Sequence, residues 1–409
     1  MALGSVGVDQ PKDWRRGFLT IAAGQTVSLV GSSAVQFALI WWLASETASP
    51  LLMSMAGLSA FLPQLLLGPI AGVWVDRLSR KSVVICADLF IGLVATLFAA
   101  AFLVSNPPYW SACLVLGLRA VGGTFHMPAI QAVVPMLVPK EELVRANGWS
   151  RLMQSGAFMV GPVLGAALYA TLPLPAILLS DLVGAVVASI SIAVVKIPEL
   201  QRTQRLQPSF LTEMKEGVVV YLRDKRLFIV TLATVVSLVF FMPLSSLYPL
   251  MVSDIFKATA WHASITSIAY SLGMMIGAAV ISGLGEIRDK LGVVRLGLVV
   301  LGAASFLCGI LPPNMVGFWL FVVLDLVMGA SVNLYSIPYM AYLQETIPNE
   351  AQGRAFSFMG SLMSITMPVG LLIAGPVAEH YGVPFWFLVA GVAMIIVITL
   401  STLVPVPQD

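Results

Sequence analysis

The sequence predicts an all-α membrane protein, with twelve transmembrane helices in two pseudo-symmetric six-helix bundles and both termini in the cytosol. Three observations lead there. Hydrophobic residues make up 58% of the 409-residue chain and charged residues 10%, against about 25% charged in soluble domains. With a mean hydropathy of +0.94, lipid is the fitting solvent. Apolar runs of spanning length, about 20 residues each, recur along the whole chain. A short pattern also occurs twice, 213 positions apart: Gly72-x-x-x-Asp76-Arg77-Leu78-Ser79 and Gly285-x-x-x-Asp289-Lys290-Leu291-Gly292. Each copy joins two apolar runs, so two related halves sit in a bilayer. That organisation implies moving a solute across the membrane.

Residues 1–16 are polar and carry no cleavable leader pattern, so the first span, 15–43, is expected to direct insertion. Spans 50–75 and 82–104 flank the first copy of the pattern, and Asn106-Pro107-Pro108 closes the third span. Span 109–137 contains Arg119, His126 and Pro128; spans 146–170 and 174–196 complete the first bundle, 1–196. A polar linker, 197–226, follows. Within it Phe210, Leu211, Met214, Val218 and Tyr221 recur at helical spacing, which predicts a short amphipathic tethering helix on the cytosolic face. The second bundle, 227–409, opens with spans 227–253 and 262–284, before the second copy of the pattern. Spans 293–311, 315–344, 352–379 and 384–405 follow, with Pro312-Pro313-Asn314 between the first two. The repeat extends further. Pro128 mirrors Pro338, and Pro139-(x)5-Arg145 mirrors Pro348-(x)5-Arg354 at an offset of 209. Basic residues set the orientation. A cytosolic N-terminus places 20 of the 22 Lys and Arg inside, with Lys257 outside and Arg119 within a span. Cys86, Cys113 and Cys308 lie in apolar runs and read as buried structural thiols.

Residue patterns within this frame resemble those of a known family. Gly72-Val73-Trp74-Val75-Asp76-Arg77-Leu78-Ser79-Arg80-Lys81 resembles the loop 2–3 signature of the major facilitator superfamily, with Trp74 in place of Leu and Ser79 in place of Gly. Gly161-Pro162-x-x-Gly165 resembles the signature of that family's antiporters, with Ala157 and Ala166 replacing its flanking glycines. Arg119-x-x-Gly122-Gly123 resembles a third signature, with Gly122 where Gln is common. More narrowly, the chain is similar to Mef-type macrolide efflux proteins at 23–29, 214–220 and 309–314. The resemblance covers essentially the whole length. It implies the major facilitator fold and a proton-coupled antiporter that exports lipophilic drugs, macrolides foremost, from a bacterial cytoplasm. The expected partners are the drug, protons and membrane lipids, with no nucleic acid, and the monomer is the expected working form.

Candidate residues fall into four sets. A cytosolic gate is expected from Gly72, Asp76, Arg77, Arg80, Asp289 and Lys290, because a carboxylate beside a helix N-terminus is worth about 0.3–2 kcal/mol, enough to bias a gate without locking it; Lys81 reads as an anchor. In span 5, Gly156, Gly161, Pro162 and Gly165 allow close approach and a bend. Charges inside a membrane are costly and read as functional. Proton coupling needs an acid that is neutral in one state and ionised in another. Arg119 is the candidate switch, and Asp181 and Asp325 are the candidate acids; Asp88 reads as a structural partner of the loop 2–3 basic cluster. For the substrate, Gln36, Gln64, His126, Met153, Gln154, Phe158, Phe240, Phe241, Asn333 and Tyr335 fall near midplane, where a large lipophilic ligand needs apolar walls with a few polar groups.

No phosphate-cradling loop, nucleophile set or metal spacing occurs, so no enzyme, cofactor or metal is expected. Two rival readings stand beside efflux. A lipid or amphiphile translocator of the same fold would show lipid-competitive binding. A membrane sensor or interaction protein would bind without flux.

Overall fold

Turn and cap residues cut the apolar chain into its helices. The computed structural model describes residues 14–139, 142–197, 218–222, 224–285 and 287–403. Twelve of its helices are long and apolar enough to cross a membrane. They are α1 (Trp14–Thr47), α2 (Pro50–Arg77), α3 (Arg80–Val104), α4 (Ser111–Leu137), α5 (Leu143–Thr171) and α6 (Leu174–Val194). After the linker come α7 (Lys225–Ile255), α8 (Ala260–Gly283), α9 (Lys290–Gly309), α10 (Met315–Thr346), α11 (Asn349–Tyr381) and α12 (Val383–Leu403). No strand occurs among the described residues.

Helix starts follow from side chains that accept the free first-turn amides. Asp224 accepts from the Leu227 amide at 3.0 Å, Asp289 from Gly292 at 2.8 Å and Asn314 from Gly317 at 2.9 Å. Gly382, at φ +89°, lets α12 begin directly after α11. The seventh span is not one regular helix as expected. It breaks at Met242–Pro243 and closes in a π turn, Met251–Ile255, because Pro243 and Pro249 have no amide to continue the ladder.

The linker helix lies mostly outside the described residues, Phe210, Leu211 and Met214 included. Its end, 218–222, is helical. Tyr221 is buried there, donates to the Ala355 carbonyl at 3.3 Å and packs on Phe358. Burial pushes its phenol up to about 12, so it stays neutral and can donate. These contacts attach the described end of the linker to α11.

Contacts divide the chain into two compact units. One comprises Met1–Leu39 and Leu62–Arg205, the other Ile40–Phe61 and Leu206–Asp409. Within each, helices touch through small residues, as membrane packing favours. In the first, a Cβ on Gly92 would lie 3.0 Å from Ala185, which fixes the α3–α6 crossing; one on Gly184 would lie 3.1 Å from Ser28. In the second, Gly273, Gly277 and Gly329 bring α8 and α10 to backbone contact, and Gly302 with Gly391 does so for α9 and α12. The second unit includes Ile40–Phe61 because the start of α2 is held there. Glu379 accepts from Ser49 Oγ at 3.0 Å and the Leu51 amide at 2.8 Å. Gly57 is backed by Ser246 and Leu371, and Gly375 by Ser54.

Candidate functional site

In the first unit the buried polar residues form two tiers across the same helices. The upper tier pairs Arg119 of α4 with Asp181 of α6. Arg119 is 6% exposed and Asp181 2%. Arg119 Nη2 donates to the Ser32 carbonyl at 3.1 Å, and Ser32 Oγ donates to Asp181 Oδ1 at 2.6 Å. Nε of Arg119 has no hydrogen-bond partner among the described residues. The lower tier joins Gln25 of α1, Asp88 of α3 and His126 of α4. Gln25 Nε2 donates to Asp88 Oδ2 at 3.1 Å. His126 Nε2 lies 3.0 Å from Gln25 Oε1 and 3.3 Å from Asp88 Oδ1.

Arg119 and Asp181, two sequence candidates from different helices, are therefore brought together. Asp88 is not where it was expected. Its carboxylate, 4% exposed, turns to Gln25 and His126 and not to the basic loop, because the α1–α4 seam offers two donors in reach. Sequence reasoning missed Gln25 and Ser32. Both are uncharged, and only the cost of burying an unpaired polar group marks them out. The cysteines also divide: Cys113 and Cys308 are buried, whereas Cys86 is exposed, contrary to expectation.

In the second unit Asp325 is 9% exposed and has no hydrogen-bond or ion-pair partner among the described residues. It lies within electrostatic reach of Tyr248, Tyr270 and Cys308. Asn333 donates to the Met274 carbonyl at 2.7 Å, Phe240 stacks on Trp386, and Phe241 and Tyr335 are buried. In the first unit Gln36, His126, Met153 and Gln154 are half-buried, Gln64 is exposed, and Phe158 is 60% exposed. Gln154 accepts from Arg151 at 3.4 Å and its amide faces Met127 Sδ at 4.0 Å.

Of the gate set, the Gly72 and Asp76 side chains lie outside the described residues, as does that of Arg354. The helix-amide contact expected at Asp76 occurs at its mirror, since Asp289 caps α9. Lys290 pairs with Glu345 at 3.0 Å. Arg77 is exposed and Arg80 reaches Met136 Sδ at 3.1 Å. Lys81 donates to the Ala193 and Val195 carbonyls, which anchors the end of α6.

The span 5 glycines have a direct reason. A Cβ on Gly161 would collide with Ser33, and one on Gly165 would lie 2.7 Å from the Ala34 carbonyl. They hold α5 against α1, with Pro162 inside the helix. Gly156 has open space around it. The same device recurs where it was not anticipated: Gly370, 209 positions after Gly161, lies against the Val239 carbonyl and Pro243 of α7.

Three comparisons bear on this arrangement. The sequence profile described as Major Facilitator Superfamily matches residues 21–313 and 249–409. Macrolide efflux protein A of Streptococcus pyogenes is 39% identical over 389 residues, covering 95% of this chain and 96% of that protein. Multidrug efflux pump Tap of Mycolicibacterium fortuitum is 25% identical, covering 95% and 93%. Among solved structures, the nucleoside transporter NupG superposes with a TM-score of 0.74 at 12% identity, covering 94% of this chain and 98% of that one. A bacterial homologue of the lysosomal transporter Spinster gives 0.71 at 13%, covering 96% and 97%. At such identities the likeness concerns the fold.

Proposed function

The chain belongs to the major facilitator superfamily and is a multi-pass bacterial membrane protein, and on that premise we propose that it exports lipophilic drugs, macrolides foremost, in exchange for protons. The observation that carries this reading is the 39% identity to Macrolide efflux protein A across nearly the full length of both chains. The positive-inside bias supports a cytosolic N-terminus in the bacterial plasma membrane, and the internal repeat supports alternating access by two six-helix bundles acting as a monomer.

The buried acids divide the coupling work. Asp181 is paired with Arg119 and accepts from Ser32, so a proton reaches its carboxylate only when Arg119 turns away. Asp325 has no counter-charge among the described residues, which leaves it as the second candidate acid. The gate residues, with the Lys290–Glu345 ion pair, bias the cytosolic side between states. For the drug, half-buried Gln36, His126, Met153 and Gln154 of the first unit offer polar groups and an apolar wall.

Energetics permit the exchange. One charge crossing 100 mV is worth about 2.3 kcal/mol, which at about 1.4 kcal/mol per decade supports roughly a fifty-fold gradient of a neutral substrate.

The test is radiolabelled erythromycin accumulation in efflux-deficient bacteria expressing the chain. The expected outcome is accumulation below the vector control that returns to it on adding a protonophore. Accumulation equal to the vector control, with the protein in the membrane, would remove macrolides as the substrate; low accumulation that ignores the protonophore would remove proton coupling.

A further inference from the structure

The lower tier of the first unit has a chemistry that the Arg119–Asp181 pair lacks. From Gln25 to Ser32 on α1, and from His126 to Arg119 on α4, the step is seven residues. That is two turns, or about 10.5 Å at 1.5 Å per residue. The two tiers therefore stand on the same two helices, one above the other. The third member changes from Asp181 of α6 to Asp88 of α3. In the upper tier the permanent cation is Arg119, which does not give up its proton. In the lower tier its place is taken by histidine, the side chain whose charge ordinarily changes near neutral pH.

The hydrogen bonds fix which atom is free to react. Both Asp88 oxygens face donors, Oδ2 the Gln25 amide and Oδ1 His126 Nε2. Because the Gln25 amide group is turned to Asp88, its carbonyl oxygen is what faces His126. His126 Nε2 thus faces two acceptors and carries the hydrogen. Nδ1 has no hydrogen-bond partner among the described residues, and in this tautomer it holds a lone pair. A proton from water that adds there makes an imidazolium beside the Asp88 carboxylate, with no bond broken in the protein and the charge balanced locally.

We propose that Gln25, Asp88 and His126 form a proton-holding station, with His126 Nδ1 as the atom that takes the proton, placed between the Arg119–Asp181 tier and the basic end of the unit. The station rests on the efflux reading only for its use in the transport cycle; the proton binding itself does not. Other charged groups are disposed around it as follows. Arg119 and Asp181 neutralise one another two turns away. Arg151 of α5 is engaged with Gln154, next to Met127. Lys81 of α3 is held by the carbonyls at the end of α6. Among the described residues Asp88 is the one anion in direct contact with the ring.

The deciding experiment is 15N-histidine NMR of the full chain in lipid nanodiscs between pH 5 and 9. The chain has three histidines, and the signal lost in His126→Gln identifies the ring. At pH 9 it should show the Nε2–H tautomer, and it should gain a second proton as the pH falls. Asp88→Asn removes the anion and should lower the midpoint by about one unit, a tenfold loss of proton affinity. Gln25→Glu adds a carboxylate at Nε2 and should raise it, which keeps the test alive should Asp88→Asn fail to fold. A ring that does not titrate in this range, or a midpoint that neither variant moves, overturns the proposal. In proteoliposomes, Asp88→Asn should shift the pH dependence of net erythromycin transport in the same direction as the His126 midpoint. Protonophore-insensitive efflux with a titrating His126 would sink the coupling reading and leave the station standing.

Discussion

At the scale of single residues, the buried charges decide most. Arg119 and Asp181 are both nearly inaccessible and paired, so removing one leaves the other charged without compensation. Breaking such a pair costs about 3–5 kcal/mol, whereas replacing both members is far milder. Arg119→Ala should therefore lower the thermal unfolding temperature of the purified protein steeply, and Arg119→Ala with Asp181→Ala should recover much of it. Additive losses in that double-mutant cycle would show that the pair is not coupled. If the pair serves transport, the recovered double variant still fails to export drug. These two residues were legible in the sequence because a charge within an apolar run has few innocent explanations. Ser32 and Gln25 were not, since a hydroxyl or an amide in a membrane helix is common and its partner lies 149 or 63 positions away. Asp88 was seen but given the wrong partner. Depth along a helix was readable, but the face on which it points was not.

At the scale of helices, close crossings set the architecture, and glycine marks them. Gly161 and Gly165 bind α5 to α1, and Gly370 repeats the contact between α11 and α7. A methyl group at either crossing forces backbones apart, and overpacking of this kind costs about 1–3 kcal/mol. Gly161→Ala and Gly370→Ala should each reduce both stability and drug export, while Gly156→Ala, with open space around it, should change neither. Unfolding curves and accumulation assays on the three variants check this; equal behaviour of Gly156→Ala and Gly161→Ala would remove the crossing as the reason for the span 5 pattern. The sequence disclosed the first crossing through its Gly-Pro spacing. The second went unread although it follows the 209-residue offset already visible in Pro139 and Pro348, because Leu371, not a proline, stands directly after Gly370. Helix existence was legible throughout. Helix ends were displaced by up to four residues, and the break in α7 was hidden because Pro243 sits inside an unbroken apolar run.

At the scale of the whole molecule, the chain's division into halves and its division by contact are different things. The linker separates the halves in sequence, and the internal repeat makes that boundary readable. Contact instead assigns Ile40–Phe61 to the second unit, so α1 and α2, each continuous, run through both units. No sequence pattern announces this, because the residues responsible are ordinary ones: Ser49, Ser54, Gly57, Glu379 and Gly375. If transport proceeds by alternating access, the two units move relative to one another, and helices shared between them cannot keep all of their present neighbours. The contact of α2 with α11 is the one to test, since a Cβ on Gly375 would lie 2.8 Å from Ser54 Cβ, close enough for a disulfide after a small adjustment. In a background where the exposed Cys86 is replaced, Ser54→Cys with Gly375→Cys should cross-link on oxidation. Export should stop in the oxidised protein and return on reduction. Each single cysteine variant should export in both conditions. Undiminished export by the fully cross-linked protein would mean that α2 stays with α11 throughout the cycle, and that the motion takes place elsewhere along these shared helices.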